Sequence, residues 1–327
     1  MPPATCRTGE TRRIKIPLAE TIGQQPADTG KKRRCTLQNI KEQSASNAGG
    51  LNEPLPEKIG FPEGILTDAP IRFDVLSARK GIFAAINKPA EILMDSYLGS
   101  PKCKSIMLAM REQKGKKEFE RLGIESPYAI NQLDMELSGA ALMAADKKSA
   151  DNFRNAMWSE KFEFEYLILC RTARNLSGEI TVELPLLMHE DRPVWIVSHR
   201  FGKKSRTRFE MLKSAGDYQI WRAKANIARP HQIRVHAAEA GLRVVGENIY
   251  SKTPSVYLSK LKEGYRLPKG EERERPLYKH ISIHLAKIRF NGNDAGIPEI
   301  GETEIFAPLP KSFSACLKKI GFEPNSY

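Results

Sequence analysis

Apolar and polar positions along the chain predict strands more often than helices. Residues Phe162–Tyr166 alternate aromatic and glutamate side chains with a period of two, which is typical of a half-buried strand. Other short apolar or alternating runs predict further strands at residues 81–87, 179–187, 194–198, 206–212, 218–227 and 280–290. Many of these runs have hairpin spacing, so we expect a largely antiparallel sheet.

Two segments show helical character from their apolar spacing or composition. Residues Ser105–Gln113 are helical in composition, and Ser149–Trp158 places Ala150, Phe153 and Met157 on one helical face. Strands still outnumber helices. The pattern therefore predicts an α+β fold class.

A third helix is predicted from its end signals. Pro230 suits the first position of a helix, and Gly241 suits the position after the last turn. On such a helix His231 and Arg234 share one face because they are three residues apart. His231 and His236 are five apart and do not converge, so we expect no metal site here.

The first 68 residues lack the periodicity of a folded segment. They are rich in Pro, Gly, Gln, Ser, Thr and charged residues, which is the composition of a disordered chain. The basic run Lys31–Arg34 either contacts nucleic acid or belongs to a solvated tail. We therefore expect a disordered basic and polar N-terminal extension over residues 1–68 and one folded domain over residues 69–327.

A surplus of positive charge makes a polyanion the first partner to test. The chain has 52 Lys and Arg against 39 Asp and Glu, a formal net charge of +13. Residues 192–236 contain eleven Lys or Arg and two acidic residues, so +9 (eleven minus two) of that charge lies in one segment. A binding face segregates one sign of charge, whereas a solubilising surface mixes both. We therefore expect this segment to face a nucleic acid.

Several classes of protein are disfavoured by features that the sequence lacks. No apolar run approaches the roughly 20 residues of a membrane-spanning helix, and the first residues lack the apolar core of a secretory signal. Five scattered cysteines predict reduced thiols rather than a disulfide or metal framework. We expect a cytoplasmic protein that is monomeric and has no membrane partner.

Three segments carry candidate chemistry besides the predicted third helix. Asp134 precedes a small-residue turn and an apolar strand, although an Asp in this setting is more often turn chemistry than catalysis. Tyr166 places an aromatic hydroxyl on the alternating strand, where the alternative is ordinary sheet packing. The stretch His199–Arg208 mixes Gly and an aromatic residue with cations, as a loop gripping a phosphate backbone would.

Six stretches, taken in order, resemble the RluA-like pseudouridine synthases. Asn87–Ala90 is similar to the family's Asn-Lys-Pro-Ala/Pro start, and Asn131–Gly139 resembles its His-Arg-Leu-Asp-x-x-Thr-Ser-Gly motif. Arg229–His236 resembles Gly-Arg-Thr-His-Gln-Ile-Arg-Val-His. The other three stretches are Gly202–Phe209, Val245–Tyr250 and Ala307–Pro310. Any one match could arise by chance, but six in this order and spacing are specific.

The resemblance implies the pseudouridine synthase fold, a mixed, largely antiparallel sheet flanked by helices. It also implies conversion of uridine in ribosomal or transfer RNA to its C-glycoside isomer, without a metal or organic cofactor. Asp134 matches the family's catalytic aspartate, which attacks C1′ of the ribose or removes a proton from C2′. Arg234 matches the arginine that pairs with it, and Tyr166 matches the tyrosine that packs on the target base. With an ordinary pKa of about 3.9, an aspartate is ionised at neutral pH and needs no activating base.

The expected RNA contacts lie in these motifs and in the basic segment. They are Gln132, Lys203, Lys204, Arg206, Arg208, Arg229 and His231. Gln132 stands where the family has an arginine that enters the space left by the flipped base, so a cation is missing from the chemistry. Two hypotheses stay open: an RNA pseudouridine synthase, or a catalytically weak or inactive RNA-binding or ribosome-assembly protein on the same fold.

Overall fold

A computed structural model of the chain describes residues 54–96, 103–172, 176, 178–267 and 269–324. Most of the predicted N-terminal extension, including the basic run Lys31–Arg34, lies outside these residues. The described part is α+β and has more strands than helices, which confirms the predicted fold class.

Strands dominate the part of the chain that the structure describes. In chain order they are β1 (Lys58–Phe61), β2 (Ile71–Arg79), β3 (Phe83–Lys88), β4 (Tyr128–Ala129), β5 (Ser138–Ala144), β6 (Phe162–Arg171), β7 (Glu179–Glu183), β8 (Leu186–Met188), β9 (Trp195–Val197), β10 (Arg206–Ala215), β11 (Tyr218–Ala225), β12 (Arg243–Val244), β13 (Ile283–Asn291) and β14 (Glu302–Phe306). The main sheet has the order β1-β2-β3-β5-β13-β6-β11-β10-β7, with β4 beside β5, β12 beside β6 and β14 beside β13. β8 and β9 form a separate two-stranded sheet.

One parallel contact joins the two halves of the main sheet. The other strand pairings in the described residues are antiparallel, whereas β5 and β13 run parallel. In that contact His284 lies opposite Ser138, and Leu285 lies opposite Gly139. Asp134 is in the loop just before β5, so the candidate catalytic residue lies beside this junction.

Helices cover the sheet at several points. The α-helices of the described residues are α1 (Ile106–Glu112), α2 (Lys117–Leu122), α3 (Lys147–Trp158), α4 (Gln232–Glu239) and α5 (Lys311–Ile320). α1 and α3 lie where they were predicted. The Asp146 side chain accepts from the backbone N–H of Ser149 and caps α3 at its N-terminus.

The sheet is buried on both faces around β3. Ala84 and Ile86 pack into an apolar cluster with α1 and α2, while Phe83 and Ala85 pack into another with α3. Because both faces are covered, the neighbouring strand β5 is buried at every position and is a continuous run of small and apolar residues.

The ordered part of the chain begins before the expected boundary at residue 68. β1 pairs with β2, and its Ile59 and Phe61 are buried in a cluster with Phe73 and Phe119. Ile59 and Phe61 are only two alternating apolar residues, and so short a pattern cannot be distinguished from that of a disordered segment. β1 is therefore folded, although the predicted extension over residues 1–68 includes it.

Helix α4 begins two residues later than its proline signal predicted. His231 caps the helix in a left-handed backbone conformation with φ of 55°, which is uncommon outside glycine, so Pro230 lies outside the helix. Gly241, with φ of 78°, follows the C-terminal end as expected. The end signals therefore located the helix but not the turn that precedes it.

Gly139 permits the close approach of β5 and β13. Its φ is 131°, and a Cβ atom on it would lie 2.3 Å from the backbone oxygen of Leu285 and 2.6 Å from its backbone nitrogen. Backbone atoms cannot rotate aside as a side chain can. The parallel contact therefore depends on the absence of a side chain at position 139.

Gly139→Ala is expected to lower the free energy of unfolding by about 1–3 kcal/mol, because the methyl group overpacks against the Leu285 backbone. Gly264→Ala is the matched control, since Gly264 also has a positive φ, 66°, but has no atom within 4 Å of its Cβ position. Chemical denaturation of both variants measures the difference. Equal losses would contradict the close contact as the cause.

Candidate active site

Lys88 holds the loop that carries Asp134. Its side chain is fully buried, and Nζ donates to the backbone oxygens of Ile92 and Leu137, each at 2.8 Å. Two further backbone oxygens, one of them from Met135, lie 3.1 and 3.3 Å away. Burial lowers the pKa of Lys88 to about 7, while the nearby carboxylates act in the opposite direction. The ammonium group thus ties the end of β3 to the loop before β5.

The Asp134 carboxylate is held between a backbone N–H and a guanidinium group. Its Oδ1 accepts from the N–H of His231 at 3.0 Å, and its Oδ2 lies 3.8 Å from Nη1 of Arg234. The side chain is only 6% exposed. Because His231 caps α4, the carboxylate lies at the positive end of that helix. The fold therefore brings Asp134, His231 and Arg234 together.

The environment of Asp134 shifts its pKa away from the ordinary value. Burial raises the pKa of Asp134, although the charges of His231 and Arg234 and the His231 N–H act to lower it. From the sequence we expected the ordinary pKa of about 3.9 for this carboxyl group. The expectation was wrong, because packing decides desolvation and the carboxylate depends on its partners to stay ionised.

Arg234 is fully buried and is shared among three carboxylates. Its Nε and Nη2 lie 2.7 and 3.3 Å from the two carboxylate oxygens of Glu247, which is also fully buried. Its Nη1 lies 3.1 Å from Glu136 and 3.8 Å from Asp134. The two-point contact makes Glu247 the closest partner of Arg234. Asp134 shares the remaining nitrogen with Glu136.

Tyr250 supports the left-handed turn at His231. Its hydroxyl lies 2.7 Å from Nδ1 of His231 and accepts from the backbone N–H of Trp195 at 3.0 Å. The guanidinium carbon of Arg234 lies 5.4 Å from the centre of the Tyr250 ring. This ring therefore links the β8–β9 sheet to the residues around Asp134.

Tyr166 is buried on the central strand β6. It is opposite Ala223 of β11 and Leu285 of β13, and it is 5% exposed. Burial raises the pKa of its hydroxyl well above the usual range, and the charge of Asp134 adds to that increase. The hydroxyl is therefore neutral and within electrostatic reach of the carboxylate.

A cleft of about 560 Å³ opens over Asp134, and we name it the Asp134 cleft. Its volume lies within the range of about 300–1,000 Å³ that is common for small-molecule sites. Apolar residues form much of its wall. The charged and polar residues that line it include Glu91, Asp95, Lys104, Gln132, Asp134, Glu136 and His231. With four carboxylates and one lysine, the cleft suits a base and ribose better than a phosphate.

Carboxylates from neighbouring strands neutralise part of the basic segment. Arg206 lies 3.1 Å from Glu183, and Arg208 also pairs with a glutamate of β7. Two cations of β11 pair with two glutamates of β6. These four carboxylates lie outside residues 192–236, and the buried Arg234 adds no charge to the surface, so the surface surplus becomes nine minus four minus one, or +4. Counting along the chain therefore overstated the charge surplus of this surface.

Three of the other expected RNA contacts are cations, and two belong to the Asp134 cleft. Gln132 and His231 line it. Lys203 and Lys204 are exposed, and within the described residues neither these lysines nor Arg229 has a carboxylate partner. Nε of Arg229 donates to the backbone oxygen of Lys204 at 3.0 Å, which places this cation beside the basic loop.

Four residues around Asp134 were not singled out from the sequence: Lys88, Glu136, Glu247 and Tyr250. Three of them occupy motif stretches 87–90 and 245–250, and the fourth lies in the Asp134 motif, so a signal was present. Their contacts join segments that are distant in sequence. Spacing along one segment cannot show such contacts.

Two further features of the described residues bear on function. No group of three or more His, Cys, Asp or Glu side chains in this part of the chain is arranged to hold a metal ion. None of the helices in the ranges given above is long and apolar enough to span a bilayer.

The sheet topology defines the class of fold. A solved structure titled Human RNA Pseudouridylate Synthase Domain Containing 4 superposes with a TM-score of 0.54 at 18% sequence identity. The match covers 75% of this chain and 92% of that chain. The described part of the chain therefore has the pseudouridine synthase fold that the motifs implied.

Sequence comparison then matches part of the chain to a family. Residues 82–239 match the RNA pseudouridylate synthase family. Two curated relatives, from Buchnera aphidicola and Haemophilus influenzae, are both named Ribosomal large subunit pseudouridine synthase D. They are 25% and 23% identical, covering 75% and 72% of this chain and 79% and 67% of their own lengths. Residues 82–239 are therefore an RNA pseudouridylate synthase domain, and the relatives that resemble the chain are named as pseudouridine synthases, which are isomerases.

Arg234→Met is expected to lower the free energy of unfolding by about 3–5 kcal/mol, because Glu247 and Asp134 then lose a buried cation. Arg229→Met is the matched control, since Arg229 is partly exposed and its loss is expected to cost less than about 1 kcal/mol. Denaturation of both variants tests the difference. Similar losses would contradict the assignment of Arg234 as the shared counter-ion.

Proposed function

We propose that the protein isomerises uridine to pseudouridine in ribosomal or transfer RNA, with Asp134 as the reacting carboxylate. The observation that carries this proposal is the position of Asp134, which lines a cleft of about 560 Å³ while Arg234 and the His231 N–H contact it. Its partners favour the ionised form of a buried acid. Such a carboxylate suits both nucleophilic attack and proton abstraction.

The reaction moves one bond and balances without a co-reactant. The C1′–N1 bond breaks, the uracil turns, and a C1′–C5 bond forms while C5 loses its proton and N1 gains one. Asp134 either attacks C1′ and forms an ester bond that breaks when C5 bonds to C1′, or removes a proton from C2′ and returns it when the C1′–C5 bond forms. The uracil needs a water-poor site during this step, and the mostly apolar wall of the Asp134 cleft supports that role.

The remaining candidate residues have supporting positions. Arg234, which the protein buries fully, orients Asp134. The role that we propose for Tyr166, a buried residue within electrostatic reach of Asp134, is packing on the target base. A uridine in a stacked RNA must be flipped out before Asp134 can reach its ribose. Lys203, Lys204 and Arg229 are the cations best placed to hold the backbone during that step, with further contacts from Gln132, Arg206, Arg208 and His231.

The names of the curated relatives favour ribosomal RNA as the substrate class. We expect the protein to act on it as a monomer in the cytoplasm. Gln132 supports a second candidate function: with no arginine at this position, the protein binds RNA or assists ribosome assembly and isomerises uridine weakly or not at all.

The proposal is tested by incubating the protein with RNA from cells that lack the gene. Pseudouridine mapping then measures modification of large-subunit ribosomal RNA and of transfer RNA separately. The parent protein is expected to modify discrete uridines, and Asp134→Asn to reduce the rate by about 100-fold or more. Asp294→Asn, an exposed aspartate that lines no part of the cleft, is the control. RNA binding without modification by the parent would instead support the second candidate.

The pH dependence of modification tests the state of Asp134. Because burial raises the pKa of Asp134, the ionised form is lost as pH falls through a value above the ordinary one of about 3.9. The acid limb of kcat/KM is therefore expected at a higher pH than an unperturbed aspartate would give. RNA affinity of Asp134→Asn over the same pH range separates catalysis from binding. A limb at or below pH of about 4 would refute the shift.

A further inference from the structure

A second, smaller pocket borders the Asp134 cleft, and we name it the Trp158 pocket. It has a volume of about 240 Å³, and its walls include Gln132, Arg154, Trp158 and Pro230. Gln132 and Pro230 also line the Asp134 cleft. The two sites are therefore separated by a wall of shared residues.

Trp158 gives this pocket an unusual exposed aromatic surface. It is the last residue of α3, and it is 49% exposed although the preceding Met157 is buried. The guanidinium carbon of Arg229 lies 4.9 Å from the centre of the Trp158 ring. A cation over an indole forms a stacked pair that offers a π surface and a positive charge together.

The charge of the Trp158 pocket is opposite to that of the Asp134 cleft. Arg154 is the charged residue among the described side chains that line it, and Nη2 of Arg154 is anchored by the backbone oxygen of Ala129 at 2.8 Å. Arg229 and the exposed Lys204 lie beside it, joined by a hydrogen bond of 3.0 Å. The Asp134 cleft carries four carboxylates by comparison. A polyanion crossing both sites would therefore place its phosphates nearer Trp158.

We propose that the Trp158 pocket binds the base of a nucleotide next to the target uridine, stacked on the pair formed by Trp158 and Arg229. This inference rests on the proposed function, because that function supplies RNA as the occupant. The pocket is smaller than the roughly 300–1,000 Å³ of sites for drug-sized ligands, so it suits one base rather than a whole nucleotide. Single-stranded nucleic acids are commonly held by this combination of aromatic stacking and cations.

A neighbouring base held here would help to keep the target uridine extruded. Flipping a nucleotide costs the stacking energy that it and its neighbours lose. Stacking of the neighbouring base on Trp158 recovers part of that lost stacking energy.

The test uses large-subunit ribosomal RNA as the probe and measures its Kd in the Asp134→Asn background, where turnover does not alter the RNA. Trp158→Ala is expected to weaken binding by about fivefold or more, because one base–aromatic stack is lost. Trp158→Phe keeps an aromatic face and is expected to recover most of the affinity. Phe306→Ala removes an exposed aromatic residue that lines neither site and is expected to change nothing.

A second measurement follows the fluorescence of the Trp158 indole. It uses a Trp195→Phe background, in which the remaining tryptophans are Trp158 and the fully buried Trp221. Bound RNA is expected to quench the fluorescence of Trp158, which is the part of the signal that Trp158→Phe removes. Unchanged affinity in Trp158→Ala would overturn the proposal, and so would bound RNA that leaves the fluorescence unquenched. An apolar peptide bound in the Trp158 pocket in place of RNA would overturn it as well. Failure of the proposed function would appear separately, as bound RNA that the parent protein does not modify.

Discussion

The burial of the Arg234 guanidinium is the constraint on which the site depends. A cation with no exposure to water is stable only where carboxylates and hydrogen bonds replace its hydration. Those carboxylates come from the loop before β5 and from Glu247 after β12, while Arg234 itself is on α4. Three distant segments must therefore meet at one point. The site therefore assembles only when the tertiary fold forms.

The same desolvation acts on the groups around Arg234. It raises the pKa of Asp134 and lowers that of Lys88 to about 7, so each charge is maintained by specific partners rather than by water. The partners are backbone groups as well as ions: four carbonyl oxygens for Lys88 and the His231 N–H for Asp134. A left-handed turn at His231 directs that N–H towards the carboxylate.

The Asp134 cleft and the surface of the basic segment differ in charge. The Asp134 cleft is mostly apolar with several carboxylates, which suits a base and ribose, whereas cations without carboxylate partners are found at Lys203, Lys204 and Arg229 within the described residues. Glutamates of β6 and β7 neutralise other cations of the basic segment. The proposed RNA contact therefore depends on a few cations without carboxylate partners more than on the net charge of +13.

Local pattern and motif spacing determined much of this protein in advance. They predicted the α+β class, most strands, α1 and α3, the family, and the segments that carry Asp134, Tyr166 and Arg234. The fold class and the elements depend on periodicity and residue type within one segment, whereas the family and the site segments were implied by the resemblance of six motif stretches. Tertiary structure alone decided that Glu247 is the closest partner of Arg234, that Lys88 holds the Asp134 loop, and that β1 is ordered. The reason is physical: burial and partner choice arise from contacts between distant segments, which set desolvation and hence pKa.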